Sequence, residues 1–282
     1  MLDSESSLAL FFVIRVLGGK CQSNTIRFMD ASTRASLDRM ERGGYLPALR
    51  SIVNSACVPF WWHGVYGQGK CRIQHNGTIC FLQTGKRLIG VTAHHVFEHY
   101  RTAKAEHSDI RCQFGGVTIE PETKLIGESA VLDLATFDVS EVIVTAAGGF
   151  PYAAVTWPSS EASVNDVLLY GGYPGALRGE HEETADLPFQ WFAGTPISVT
   201  TENLKLHIDW ENFYQPLKGQ HIDNVDMGGF SGGPVFRLVL GPPVERLELV
   251  AFIYEWQPSL SLLLARPSHH IADNGQLEAR VY

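Results

Sequence analysis

The chain has 282 residues, 45% of them hydrophobic and 18% charged; this excludes a disordered segment and leaves room for one large domain or two modest ones. A formal net charge of −8 argues against nonspecific nucleic-acid binding, because phosphate contacts need clustered Lys and Arg and none occurs here. The five cysteines (Cys21, Cys57, Cys71, Cys80 and Cys112) are odd in number and lack CxxC spacing. That pattern favours a reducing, cytoplasmic compartment, with a Cys71 to Cys80 bridge across a hairpin as the one conceivable disulfide.

The apolar run from Leu8 to Ile14 follows acidic Asp3 and Glu5 and has no small-x-small cleavage site before Cys21, so it lacks the parts of a secretory signal. It is also far short of the roughly 20 apolar residues that span a bilayer, and no membrane span is expected. A strand or short helix packed on the core is the expectation, or a translated leader with the true start at Met29. Residues 30 to 54 read as helical: Asp30 or Ser32 caps, Arg34 to Arg42 are good helix formers, Gly43-Gly44 terminates, and a second short helix covers Ala48 to Val53. No chemistry is visible there, which makes residues 1–54 a packing or partner-binding extension.

From Gly67 the pattern changes to strands and turns. Lys70 to His75, the turn Asn76-Gly77, Thr78 to Gln83, the turn Thr84-Gly85-Lys86 and Leu88 to Thr92 predict a β-meander. Asn76-Gly77-Thr78 also spells a glycosylation acceptor, but in a reducing compartment it reads as a turn. Strands near Ile110 to Phe114, Val117 to Leu125 and Leu134 to Val139 complete a first unit over residues 55–150. Gly148 to Ser160 is a loop-rich crossover. The second unit, 151–282, begins with Val164 to Tyr170 and Gly171-Gly172-Tyr173-Pro174-Gly175, followed by a charged, mobile surface loop over residues 176 to 188. Phe192 to Thr200 and Leu204 to Trp210 alternate as a hairpin; Val235 to Leu240, Leu247 to Tyr254 and Ser259 to Ala265 are the last strands, and His269 to Tyr282 is a short helix or tail.

The chemistry centres on Met227-Gly228-Gly229-Phe230-Ser231-Gly232-Gly233-Pro234. Glycines on both sides let a substrate approach the Ser231 hydroxyl and let the amides of Gly229 and Ser231 converge as an oxyanion hole. Taken alone, the stretch could equally be a glycine-rich turn. A serine nucleophile needs a base and an orienting acid. Val91-Thr92-Ala93-His94-His95-Val96 ends an apolar strand with a histidine, and Leu132-Asp133-Leu134-Ala135 opens another with a carboxylate.

On these three motifs the chain resembles the trypsin-like (chymotrypsin-fold) serine proteases, whose histidine lies in Thr-Ala-x-His and whose aspartate lies in Asp-x-Ala. The order His95, Asp133, Ser231 matches, as do the separations of 38 and 98 residues. The resemblance covers roughly residues 55 to 270 and is nearest to the bacterial, disulfide-free branch that includes HtrA proteases, without a PDZ domain. It implies an all-β fold of two antiparallel six-stranded β-barrels with a helical N-terminal extension, and a serine endopeptidase that uses no metal or organic cofactor. Val96 stands where animal digestive members have a cysteine, and Phe230 where they have an aspartate, so activation through a newly cut N-terminus is unsupported. By analogy Val225 and Asp226 floor the specificity pocket, and Leu249 to Trp256 (Tyr254 and Trp256 above all) and the strand ending Leu264-Ala265 wall it. Val225 favours an apolar pocket; Asp226 would favour a basic side chain if it points inward and would be structural if it binds loop backbone.

Rival readings are weaker. His94 beside His95 and Asp138 near Asp133 are decoys. His95-Val96-Phe97-Glu98-His99 fits the H-x-x-E-H zinc motif, which needs a helix and a distant third ligand. Gly229-x-Ser231-x-Gly233 fits the α/β-hydrolase elbow, which needs a following helix and later partners. A latent domain of the same fold, used as a protein-binding module, is the alternative function. The expected partners are a protein or peptide substrate and a regulatory protein or the N-terminal extension as restraint.

Overall fold

The computed structural model describes residues 31–66, 70–180, 185–208, 210, 225–240 and 245–278; the apolar run near the N-terminus lies outside them. Two helices come first, α1 (Ala31–Arg42) and α2 (Tyr45–Ser55). Between them Gly44 takes a left-handed φ of 80°, the stop that Gly43-Gly44 predicts. The first sheet contains β1 (Cys57–Tyr66), β2 (Lys70–Gln83), β3 (Leu88–Thr92), then after helix α3 (His94–Glu106), β4 (Arg111–Phe114), β5 (Val117–Ile119), β6 (Leu125–Ser129) and β7 (Leu134–Asp138). Helix α4 (Glu141–Ala146) and β8 (Tyr152–Ala153) lead to the second sheet. It starts with β9 (Val167–Gly172); a small ribbon of β10 (Gly179–Glu180) and β11 (Ala185–Asp186) follows. The rest are β12 (Gln190–Gly194), β13 (Pro196–Val199), β14 (Leu204–His207), β15 (Pro234–Val239), β16 (Arg246–Gln257) and β17 (Leu262–Pro267).

The strand orders are β5-β4-β1-β2-β3-β7-β6, with β8 parallel on β2, and β12-β9-β15-β16-β17-β14-β13. Both sheets are curled and antiparallel, with seven strands along each path rather than six, an arrangement compatible with a chymotrypsin-like double barrel. Phe60, Phe97, Phe114 and Phe137 fill the first sheet's concavity with edge-to-face contacts. Tyr170, Phe192 and Phe230 fill the second, with Tyr170 stacked on Phe192 and Phe230 tilted against it. A third cluster lies between the sheets. There Leu37, Met40, Leu46, Leu49 and Val53 of α1 and α2 pack with Leu82, Ile89 and Val91 from one side and Leu169, Phe236 and Phe252 from the other. The helical extension is therefore part of the core.

Several expectations are corrected. Asn76-Gly77 is no turn: β2 runs through it, with Asn76 opposite Trp61 and Gly77 opposite Phe60 in the preceding β1, a strand the sequence did not announce. The Asn76 amide donates to Tyr173 O at 2.6 Å instead of closing a turn. Cys71 and Cys80 thus lie nine residues apart on one strand, or about 30 Å at roughly 3.3 Å per residue, far beyond disulfide reach. Cys80 is a free thiol beside Cys57, and burial pushes both thiols upward in pKa. The histidines 94 and 95 begin a helix rather than ending a strand, because Val96, Phe97, Tyr100 and Ala103 bury one face at helical spacing. The run Val117 to Leu125 is split by a 3-10 turn at Pro121–Lys124, and Phe192 to Thr200 is split into β12 and β13. The span 176 to 188 contains the β10–β11 ribbon, and the segment after His270 is an irregular return closed by an Ile271–Leu277 bridge rather than a helix.

Candidate active site

Asp133 sits in the turn between β6 and β7, at a left-handed φ of 51° that Asp tolerates better than most residues. From there its carboxylate clasps the first turn of α3. Oδ1 accepts the His95 backbone N–H at 2.9 Å, and Oδ2 lies 2.8 Å from His95 Nδ1. Burial raises the Asp133 pKa, but the hydrogen bonds from His95 and the neighbouring imidazoles outweigh it and hold the carboxyl below its ordinary value. The decoys go elsewhere: His94 Nε2 faces Glu128 at 3.5 Å, and Asp138 pairs with Arg87 at 3.0 Å.

Ser231 follows from the other sheet. Its loop is fastened by the first sheet through Thr78, which is fully buried. Thr78 N donates to Ser231 O at 2.8 Å, and Thr78 Oγ1 donates to Gly229 O at 2.8 Å while accepting from Tyr173 N at 3.1 Å. Gly175 N binds Gly228 O at 2.7 Å, so the Gly229 N–H on the opposite edge of that peptide is turned away from the Gly175 contact. Among the described residues the amides of Gly229 and Ser231 donate to no protein group. Two glycines are obligatory on steric grounds. A Cβ on Gly229, at φ 103°, would lie 2.4 Å from Tyr173 O, and one on Gly232, at φ 92°, would lie 1.9 Å from Thr78 O.

His95, Asp133 and Ser231 border one open cleft of about 490 Å³. The Ser231 hydroxyl donates to Tyr254 O at 3.4 Å and makes no hydrogen bond with His95. The remaining lining includes Asp226, Gly228, Tyr254, Glu255, Trp256 and Pro258. Asp226 Oδ1 accepts Gly228 N–H at 2.9 Å, so this carboxylate both braces the loop and borders the cleft. Val225 is partly buried and does not line it. Leu249, Leu264 and Ala265, expected as walls, are turned into the core. Phe230 is fully buried beside Phe192 and is an anchor in the second core.

The H-x-x-E-H stretch lies on a helix, contrary to the expectation, and the rings of His95 and His99 come within 5.8 Å. His95 Nδ1 is committed to Asp133, and among the described residues no group of three His, Cys, Asp or Glu is arranged to hold a metal ion. Also among the described residues, no helix is long and apolar enough to cross a membrane.

Thr78 and Arg266 support the site without any local motif to announce them, whereas Tyr254 and the Gly171 to Gly175 loop stood out in the sequence.

No protein-family model matches the chain, and a search of curated proteins finds no match. Among solved structures the chain is similar to one from work headed "Aromatic interactions drive the coupled folding and binding of the intrinsically disordered Sesbania mosaic virus VPg protein", at 15% identity and a TM-score of 0.39, over 76% of this chain and 93% of that one. At that score the likeness carries no weight for function.

Proposed function

We propose that the protein is a serine endopeptidase. The observation that carries this reading is the two-point clasp of Asp133 on His95, at 2.9 and 2.8 Å, in a cleft that Ser231 also borders. In the proposed reaction Ser231 Oγ bonds to the substrate carbonyl carbon and its proton passes to His95 Nε2. The C–N bond then breaks as His95 returns the proton to the leaving amine, and water releases the acyl group from Ser231 by the same path. Asp133 keeps the imidazole proton on Nδ1, leaving the Nε2 lone pair for the serine. The unengaged amides of Gly229 and Ser231 suit a developing oxyanion, each worth on the order of 3 kcal/mol in such sites. A protein or peptide is the proposed substrate, and the cytoplasm the proposed compartment.

One observation favours a second reading, a latent domain that binds protein: the Ser231 hydroxyl donates to Tyr254 O rather than to His95. Intact mass after fluorophosphonate treatment separates the two. The expected result is one adduct on the wild type, none on Ser231→Ala, and no effect of EDTA. A folded wild type that takes no label overturns the endopeptidase reading and leaves the latent one.

A further inference from the structure

The turn that bears Asp133 belongs to the first sheet, yet a side chain of the second sheet holds it. Arg266, in β17, is only 7% exposed, and its guanidinium is divided among backbone carbonyls. Nε donates to Leu132 O at 2.8 Å and Nη2 to Val131 O at 3.5 Å, the two residues directly before Asp133. Nη1 donates to Glu202 O at 2.6 Å, with Glu202 Oε2 at 3.5 Å. The guanidinium also lies 4.7 Å over the Tyr254 ring. Tyr254 in turn accepts the Ser231 hydroxyl through its carbonyl and donates its own hydroxyl to Asn203 at 2.7 Å.

Asp133 needs such a hold. Its left-handed backbone is not the conformation a free turn would select for a non-glycine residue, and the aim of its carboxylate follows the backbone. Leu132 anchors the inner side of this turn in the core, 2% exposed, while Val131 is 83% exposed, so on the outer side the hold on the turn is the polar one from Arg266. A planar fork can reach Leu132 O and Glu202 O in different directions while lying flat on a ring; a lysine ammonium, with three donors at one point, cannot.

We propose that Arg266 is a positioning residue for the candidate triad. It fixes the turn 131–133 so that Asp133 meets His95, and it ties that turn to the Tyr254 strand that touches Ser231. The two halves of the site, one from each sheet, are thereby registered to each other. This rests on the endopeptidase reading for its catalytic consequence, but its geometric content stands apart.

The test measures two things on Arg266→Lys: the fluorophosphonate labelling rate, and the downfield proton resonance of the His95 Nδ1–H to Asp133 hydrogen bond. A side chain that only packs would lower the melting temperature and leave that resonance in place in the folded fraction. The expected result is a folded protein whose resonance is lost or moved upfield and whose labelling slows about 100-fold, the scale of a displacement near 1 Å at a reacting group. Added guanidinium should restore part of the rate in Arg266→Ala. A folded Arg266→Lys with wild-type resonance and labelling overturns the proposal. If the wild type takes no label, the endopeptidase reading falls and the resonance alone decides for Arg266. If neither Arg266 variant folds, Glu202→Ala removes the half-exposed carboxylate that faces Nη1 at 3.5 Å and His270 Nε2 at 3.8 Å; a resonance unmoved in it overturns the proposal, and a shifted one supports it.

Discussion

Replacing Asp133 by Asn removes a charge and changes little else. Asn tolerates a left-handed φ at least as well as Asp, so the turn at φ 51° is kept. One amide oxygen still accepts the His95 backbone N–H now held at 2.9 Å. The other position becomes an NH2 donor, facing His95 Nδ1 at the present 2.8 Å contact. Nδ1 must then accept, the ring proton moves to Nε2, and no lone pair remains for the Ser231 hydroxyl. In sites of this kind the wrong tautomer costs about 10⁴-fold in rate, or roughly 5.5 kcal/mol. The assay is the second-order rate of fluorophosphonate labelling, followed by intact mass, with circular dichroism to show that the variant is folded. A folded Asp133→Asn that labels within about tenfold of wild type would refute the tautomer argument and the role of Asp133 with it.

Two further outcomes follow from the same geometry. Thr78→Val frees the Gly229 carbonyl and leaves the buried Tyr173 N–H without its acceptor, a cost of about 1–3 kcal/mol that thermal melts would register; kcat should fall with KM little changed, and Thr78→Ser should restore both. The pKa of His99 is lowered by burial of the ring and by the nearby His95 and His75. A lowered histidine favours folding above its unfolded midpoint near 6.5, and that contribution is lost as the pH falls through the folded value. His95→Gln should therefore move the His99 NMR midpoint upward, and an unchanged midpoint would show that the two rings do not interact.

Much of the fold was readable because its signals are local. Gly43-Gly44 stops a helix through the φ of Gly44, and Leu134 to Asp138 is a buried strand because four successive residues are apolar or small. The errors occur where tertiary contacts outbid local preference. Asn76-Gly77 has ideal hairpin chemistry, but pairing with β1 on one edge and the Tyr173 carbonyl as a partner for Asn76 keep the strand continuous. Likewise Thr-Ala-His-His suggested a strand end, while the spacing of Val96, Phe97, Tyr100 and Ala103 had already specified a helix. Reading that period would have placed His95 on α3 and removed the main objection to the zinc motif, leaving the missing third ligand as the better one.

The site divides along the same line. His95, Asp133 and Ser231, which the fold brings to one cleft, could be picked out as candidates from sequence because each stands beside small residues that form a pattern along the chain. The groups that aim them could not. Thr78 and Arg266 act on backbone carbonyls 151 and 134 residues away, and a carbonyl has no residue identity to pair with. What Thr78 does for the Gly229 to Ser231 loop, gripping from the first sheet a segment of the second, Arg266 does in reverse for the turn before Asp133. The two straps cross the cleft in opposite directions. Any motion that separates the sheets must therefore misplace Ser231 and Asp133 together, which makes the packing between the sheets, α1 and α2 included, a condition of the site's geometry.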